Sequence, residues 1–235
     1  MRRSSVRWHM RVFGLLLLAV GFLAGLPGWT SAQSGPPVLI INQVLTEEFP
    51  QVVSYVTVVD ASGLPVAGLT EQAFTVTEDG NSVGQFVLSP ANQEGVRIIL
   101  AVDTSGSMLG GTALSDAQHA ARTFLSQLGP KDQAALIVFA EQADLVQDFT
   151  SNLASLESSV AGLTALPNAR TALYEAAFEA AERMVQVPAG RKAILILTDG
   201  TNTVGGFTLK DAIDKAQEAN VPIYTVGLLG GEFDP

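Results

Sequence analysis

Four near-continuous apolar runs, at residues 96–102, 134–140, 193–198 and 223–228, alternate with stretches of helical period. A strand that is apolar at almost every position has to be covered on both faces, as in a parallel sheet flanked by helices. The helices between the runs are legible too. Leu114, Ala117, Ala121, Phe124 and Leu128 share one face, with Ser115 and Gln118 as a capping box and Gly129-Pro130 as the stop. Leu173, Ala177, Ala180 and Met184 share the face of a second helix, closed by Pro188. Thr208 and Asp211 cap a third, which carries Leu209, Ile213 and Ala216 and ends at Asn220 and Pro222. Residues 144–149 follow the second apolar run after only three residues. That gap is too short for a crossover helix, so this segment is expected to pair antiparallel at a sheet edge. The sum is an open, doubly wound, mostly parallel α/β sheet with flanking helices, Rossmann-like in its winding, over residues 96–235.

A different pattern precedes it. Residues 38–88 carry β signals and no helical period: a Val-, Thr- and Tyr-rich strand at 52–59, and shorter strands at 73–77 and 82–88. Residues 60–68 have turn chemistry, and Asp79-Gly80-Asn81 marks a tight hairpin. This reads as a small all-β, sandwich-like module, with a polar leader at 33–37 and a linker at 89–95.

The first 32 residues are expected to be a secretory signal peptide. Arg2, Arg3, Arg7 and Arg11 lead into an apolar stretch at 12–26, and the segment closes on the small residues Thr30-Ser31-Ala32, a cleavage signature. Its uninterrupted apolar core is shorter than the ~20 residues a membrane span needs, and no later segment is long and apolar enough to span. The whole chain has 13 basic and 23 acidic residues; with four arginines leaving in the leader, nine basic residues face 23 acidic ones, a net of −14. Nucleic-acid binding rests on Lys and Arg neutralising phosphates, so no nucleic-acid partner is expected. Cysteine is absent, which excludes disulfides, thiolate catalysis and zinc-thiolate sites. An exported protein, of bacterial source, is expected: extracellular, periplasmic or on the cell surface.

The chemistry concentrates at the end of the first apolar run, in the spacing Asp103-x-Ser105-x-Ser107. One carboxylate and two hydroxyls on a glycine-containing turn are hard oxygen donors, suited to Mg²⁺, with Mn²⁺ or Ca²⁺ as alternatives. Ligands of open α/β sheets bind at the carboxyl ends of the strands, where strand order reverses. Asp199, in Leu197-Thr198-Asp199-Gly200, ends a later run, and two carboxylates brought to one edge repel each other unless a cation lies between them. Catalysis is poorly provided for. A phosphatase using Asp103 as nucleophile would want a second aspartate two residues on, where Ser105 stands. A serine hydrolase would want a Gly-x-Ser-x-Gly elbow and a histidine partner, and His119 is the one histidine beyond the leader. No catalytic residues are assigned, and a metal-dependent hydrolase is the disfavoured alternative of another class.

Three elements together resemble the von Willebrand factor type A domain: Asp103-Thr104-Ser105-Gly106-Ser107-Met108, Leu197-Thr198-Asp199-Gly200, and Asn168-Ala169-Arg170-Thr171-Ala172-Leu173 ahead of a helix. The resemblance covers about residues 95–230. It implies a metal-ion-dependent adhesion site in which Ser105 and Ser107 bind the cation through their hydroxyls. Asp103 and Asp199 would act mainly through bound water, and Thr171 directly or through water according to conformation. The loop before Thr171 departs from the family, with Ala-Arg where Gly-Gly or Gly-x is usual. No covering helix follows the last apolar run, so a domain cut short at Pro235 is expected. The β module resembles the segment that precedes such domains in many bacterial exported proteins, and its Asp60, Glu78 and Asp79 read as turn residues rather than as a second cation site. The function implied is an exported, divalent-cation-dependent adhesion or interaction module whose metal bridges to a Glu or Asp of a protein partner. A scaffold or chaperone-like subunit of a cell-envelope complex is the alternative.

Overall fold

The computed structural model describes residues 7–12, 36–90 and 94–228, and the chain divides into two units, residues 1–93 and 94–235. Among the described residues, the first unit has strands β1 (Arg7–Val12), β2 (Val38–Leu45), β3 (Gln51–Val59), β4 (Thr77–Glu78), β5 (Asn81–Ser82) and β6 (Phe86–Pro90), and no α-helix. Its main sheet has the order β2-β3-β1-β6, and β4-β5 is a separate hairpin. β2 pairs antiparallel with β3, whereas β1 runs parallel to both of its neighbours. Arg7–Val12 thus form a strand inside the segment read as a leader, and among the described residues β6 pairs with that strand alone. The rest of residues 1–32 lies outside the described residues.

Turn chemistry explains most of this unit. The hairpin turn sets Asp79 at φ 50° and Gly80 at φ 79°, the left-handed pair that the Asp-Gly sequence favours. Asp60 folds the 60–64 turn onto its own carboxylate, which accepts from Ser62 N at 2.8 Å, Ser62 Oγ at 2.6 Å and Leu64 N at 3.0 Å. The Ser62 hydroxyl, with those amides, holds this carboxyl below its ordinary range. Two strand expectations are corrected. Glu71–Ala73 form a 3₁₀ turn, and Phe74 is extended (φ −121°, ψ 144°) without joining a strand; the ladder begins only at Thr77. Residues 82–88 split between β5 and β6. Val83 N still donates to Val76 O at 2.8 Å beside the β4-β5 pair, and the chain then leaves that hairpin and pairs with β1 as β6.

The second unit contains β7 (Val96–Asp103), α1 (Ala113–Leu125), β8 (Gln133–Phe139), β9 (Ala143–Thr150), α2 (Leu153–Ala161), α3 (Leu173–Val185), β10 (Arg191–Thr198), α4 (Leu209–Glu218) and β11 (Ile223–Gly227). Five strands lie in the order β11-β10-β7-β8-β9. All neighbours are parallel except β9, which pairs antiparallel with β8 at the edge, as the three-residue gap required. Strand periodicity divides β7 between two cores. Ile98, Leu100 and Val102 pack with Ala117, Ala121 and Leu125 of α1 and with Leu156 and Val160 of α2. Ile99 and Ala101 face the opposite layer, with Ala176, Ala180 and Met184 of α3 and Ala212 and Ala216 of α4. Alanine predominates where helix meets sheet, so the helix backbones approach closely. No helix among the described residues is long and apolar enough to cross a membrane.

The helix starts are only partly those expected. Gly111, at φ 54°, turns the chain early, so α1 begins at Ala113 with Thr112 before it. Ser115 is therefore inside the first turn, its hydroxyl donating to the Thr112 carbonyl at 2.7 Å, rather than capping. In α4 the expected box is complete. Thr208 Oγ1 accepts from Asp211 N at 3.2 Å, and Asp211 Oδ2 accepts from Thr208 N at 2.8 Å. Replacing Thr208 with Ala leaves that first turn uncapped and should cost about 1 kcal/mol in a urea unfolding curve.

Candidate metal centre

Sheet register builds the site. β10 lies beside β7 with Leu197 opposite Val102, so the next residues, Thr198 and Asp103, meet at the carboxyl ends of both strands. β8 flanks β7 on its other side, which makes this the point where strand order reverses. Asp103 is fully buried. Its carboxylate accepts from Ser105 N at 2.8 Å and from Thr198 Oγ1 at 2.5 Å. The Ser105 and Ser107 hydroxyl oxygens are 3.1 Å apart, and Ser107 Oγ donates to Asp199 Oδ1 at 2.7 Å. A continuous file of side-chain oxygens therefore joins the turn after β7 to the turn after β10.

Thr171 arrives on a third loop. Leu166 N donates to Thr104 O at 2.8 Å, Gly106 N to Ala169 O at 2.9 Å, and Ala172 N to Ala140 O at 2.7 Å. The approach is close enough that a Cβ on Gly106 would lie 3.0 Å from Asn168 N. The Ala-Arg departure is absorbed locally: Asn168 takes φ 62°, the Ala169 carbonyl faces Gly106, and Arg170 turns outward to an exposed pairing with Glu141 at 3.8 Å. Gly200 completes the arrangement by lacking a side chain. A Cβ there would sit 3.6 Å from Ser107 Oγ and 3.6 Å from Thr171 Oγ1, so both hydroxyls border the same open point.

The five residues singled out in the sequence, Asp103, Ser105, Ser107, Thr171 and Asp199, are brought together by three loops. Thr198 was not among them. It is a polar residue ending a strand that is otherwise apolar, and it donates to the buried face of Asp103. Burial pushes the Asp103 carboxyl up, the hydrogen bonds from Ser105 and Thr198 oppose that shift, and the Asp199 charge adds to it. A cation at this edge would reverse the balance. Among the described residues no three or more His, Cys, Asp or Glu cluster as a metal site would. The donor set is instead two carboxylates and three neutral hydroxyls, all hard oxygens, which fits a small divalent cation and offers nothing to a thiophilic one. Beside the loops that carry it opens a cavity of about 520 Å³, lined by Thr104 and Asn168 of those loops and by Leu166, Pro167 and Glu141.

Comparison with known proteins agrees with this architecture. Residues 98–202 match the family model of the von Willebrand factor type A domain. The human inter-alpha-trypsin inhibitor heavy chain H4 is 29% identical over 167 residues, covering 67% of this chain; the chain spans only 18% of that protein's length. A solved structure of BatB from Bacteroides thetaiotaomicron is 28% identical with a TM-score of 0.50, over 57% of this chain and 66% of that one. Proximal thread matrix protein 1 of the mussel byssus, solved with zinc in its MIDAS motif, has a TM-score of 0.51 at 20% identity, over 57% of this chain and 36% of that one, a likeness of fold.

Proposed function

Residues 98–202 are a von Willebrand factor type A domain, and from that premise we propose that the chain is a divalent-cation-dependent protein-binding module. Mg²⁺ is the ion best suited to the oxygens at the carboxyl ends of β7 and β10. Ser105 and Ser107 would bind it through their hydroxyls, Asp103 and Asp199 would act mainly through water, and Thr171 would add its hydroxyl directly or through water. The observation that carries this reading is the convergence of two carboxylates and three hydroxyls from loops 92 or more positions apart at their extremes, with Ser107 Oγ 2.7 Å from Asp199 Oδ1. Neutral hydroxyls as direct ligands leave much of the ion's charge uncompensated. A carboxylate from a partner protein is the group that would finish its shell.

Binding, and not catalysis, is what this donor set suits. The metal would supply Lewis acidity and a bridging charge, but no histidine, lysine or third carboxylate stands among the five residues to move a proton. We place the module outside the cytoplasm, on the arginine-led apolar leader.

Partner capture from an envelope extract tests this. Mg²⁺-dependent capture is expected, abolished by chelator, by Ser105→Ala with Ser107→Ala, and by amidating the carboxyl groups of the extract beforehand. Capture that survives excess chelator, or that is indifferent to amidation, would remove the metal bridge.

A further inference from the structure

The segment that follows Asp199 does more than close the loop. Thr171 N donates to Thr203 Oγ1 at 2.8 Å, and the Thr171 carbonyl accepts from Thr203 N at 2.8 Å and from Val204 N at 3.2 Å. Both main-chain polar groups of Thr171 are thus held by one neighbouring turn. Thr171 itself is 4% exposed, so its amide has little access to water if that turn withdraws. Asn202 braces the same turn from both ends. Its Nδ2 donates to Val204 O at 2.6 Å, while its Oδ1 accepts from Tyr174 N at 3.1 Å, in the first turn of α3. Ala172, which precedes α3, makes no side-chain cap, so Asn202 satisfies from outside one of the amide groups that every helix start leaves open.

We infer that Thr203, braced by Asn202, is a positioning residue of the metal centre that fixes Thr171 through its main chain and ties it to the Asp199 turn. This rests on the proposed reading that the centre holds a divalent cation. Neither residue contributes an atom to the cation's surroundings. Their effect is to hold the Thr171 hydroxyl and the Asp199 carboxylate at one separation, so that the ion meets both without first ordering two independent loops. Outer partners that orient metal ligands in this way commonly change affinity by about 10- to 100-fold when removed.

Calorimetric titration of Mg²⁺ into three proteins decides the point. Thr203→Val keeps the side chain's shape and deletes the hydroxyl; it is expected to bind Mg²⁺ about tenfold or more weakly. Thr203→Ser restores the hydroxyl and is expected to stay within about twofold of wild type, a rescue that bulk packing alone would not give. The thermal midpoint in chelator is read alongside. A purely structural role would lower that midpoint and leave Mg²⁺ affinity unchanged. Wild-type affinity in Thr203→Val therefore overturns the inference while leaving the metal centre standing. Failure of the wild-type protein to bind Mg²⁺ overturns both. Should Thr203→Val not fold, Asn202→Ala carries the same test: severalfold weaker Mg²⁺ binding is expected, and wild-type affinity would refute the brace.

Discussion

Replacing Asp103 with Asn is expected to abolish the stability gain that the proposed Mg²⁺ site would give, and to leave the metal-free protein at least as stable as wild type. The carboxylate is fully buried, and its burial disfavours the charge, with Asp199 adding to the penalty. Asparagine has nearly the same shape. Its oxygen can keep the bond from Ser105 N, now 2.8 Å long, and the Thr198 hydroxyl can rotate to accept from the new amide. A neutral group therefore relieves the metal-free site while withdrawing the charge that attracts the ion. At a Mg²⁺ concentration one hundred times the dissociation constant, the wild-type protein should gain about 2.7 kcal/mol. The variant should gain none. Urea unfolding with Mg²⁺ and with chelator reads both halves of this expectation, and a Mg²⁺-dependent gain that persisted in the variant would contradict it.

Gly95→Ala, at the opposite end of β7, has a comparable cost by a different route. A Cβ on Gly95 would lie 2.1 Å from the Lys131 carbonyl oxygen and 2.9 Å from the Lys131 carbonyl carbon. Both atoms are main chain, so no side chain can swing aside. Relief requires the start of β7 to move away from the 129–132 turn. That turn is held by Asp132, whose carboxylate accepts from Val96 N at 2.8 Å and from Gly129 N at 2.7 Å. Moving the strand breaks this clasp and disturbs the pairing of Arg97 with Gln133. A loss of about 3 kcal/mol is expected, at the upper end for overpacking, measured by urea unfolding. The Mg²⁺ affinity of the folded fraction should be unchanged, because the metal centre lies at the far end of the strand. A variant as stable as wild type would show that the contact is not fixed.

These two positions differ in how visible they are in the sequence. Asp103 stands out because a charged residue ends an apolar run, and a strand-end carboxylate followed by two alternating hydroxyls has few other uses. Gly95 sits in a polar stretch that reads as a linker, where glycine suggests freedom; its actual role is a close approach to a residue 36 positions away, which no local pattern encodes. The same division runs through the whole chain. The sheet was legible because burial on both faces leaves a run of apolar residues, and β9 was legible because three residues cannot make a crossover. The α4 capping box was legible because both partners lie within one turn. Ser115 misled because Thr112, three residues earlier, offers a similar start, and the backbone turn at Gly111 decides between them. At the candidate site, the five converging residues carry recognisable spacing. Thr198, Asn202 and Thr203 act through hydrogen bonds across loops, and a threonine or asparagine near a strand end looks the same whether or not another loop lies above it.

The metal assignment is tested most directly by calorimetric titration of Mg²⁺ into chelator-stripped protein, beside the Ser105→Ala, Ser107→Ala double variant. One ion per chain is expected for the wild-type protein and none for the double variant. No binding by the wild-type chain, or equal binding by the double variant, would contradict a cation held by these oxygens.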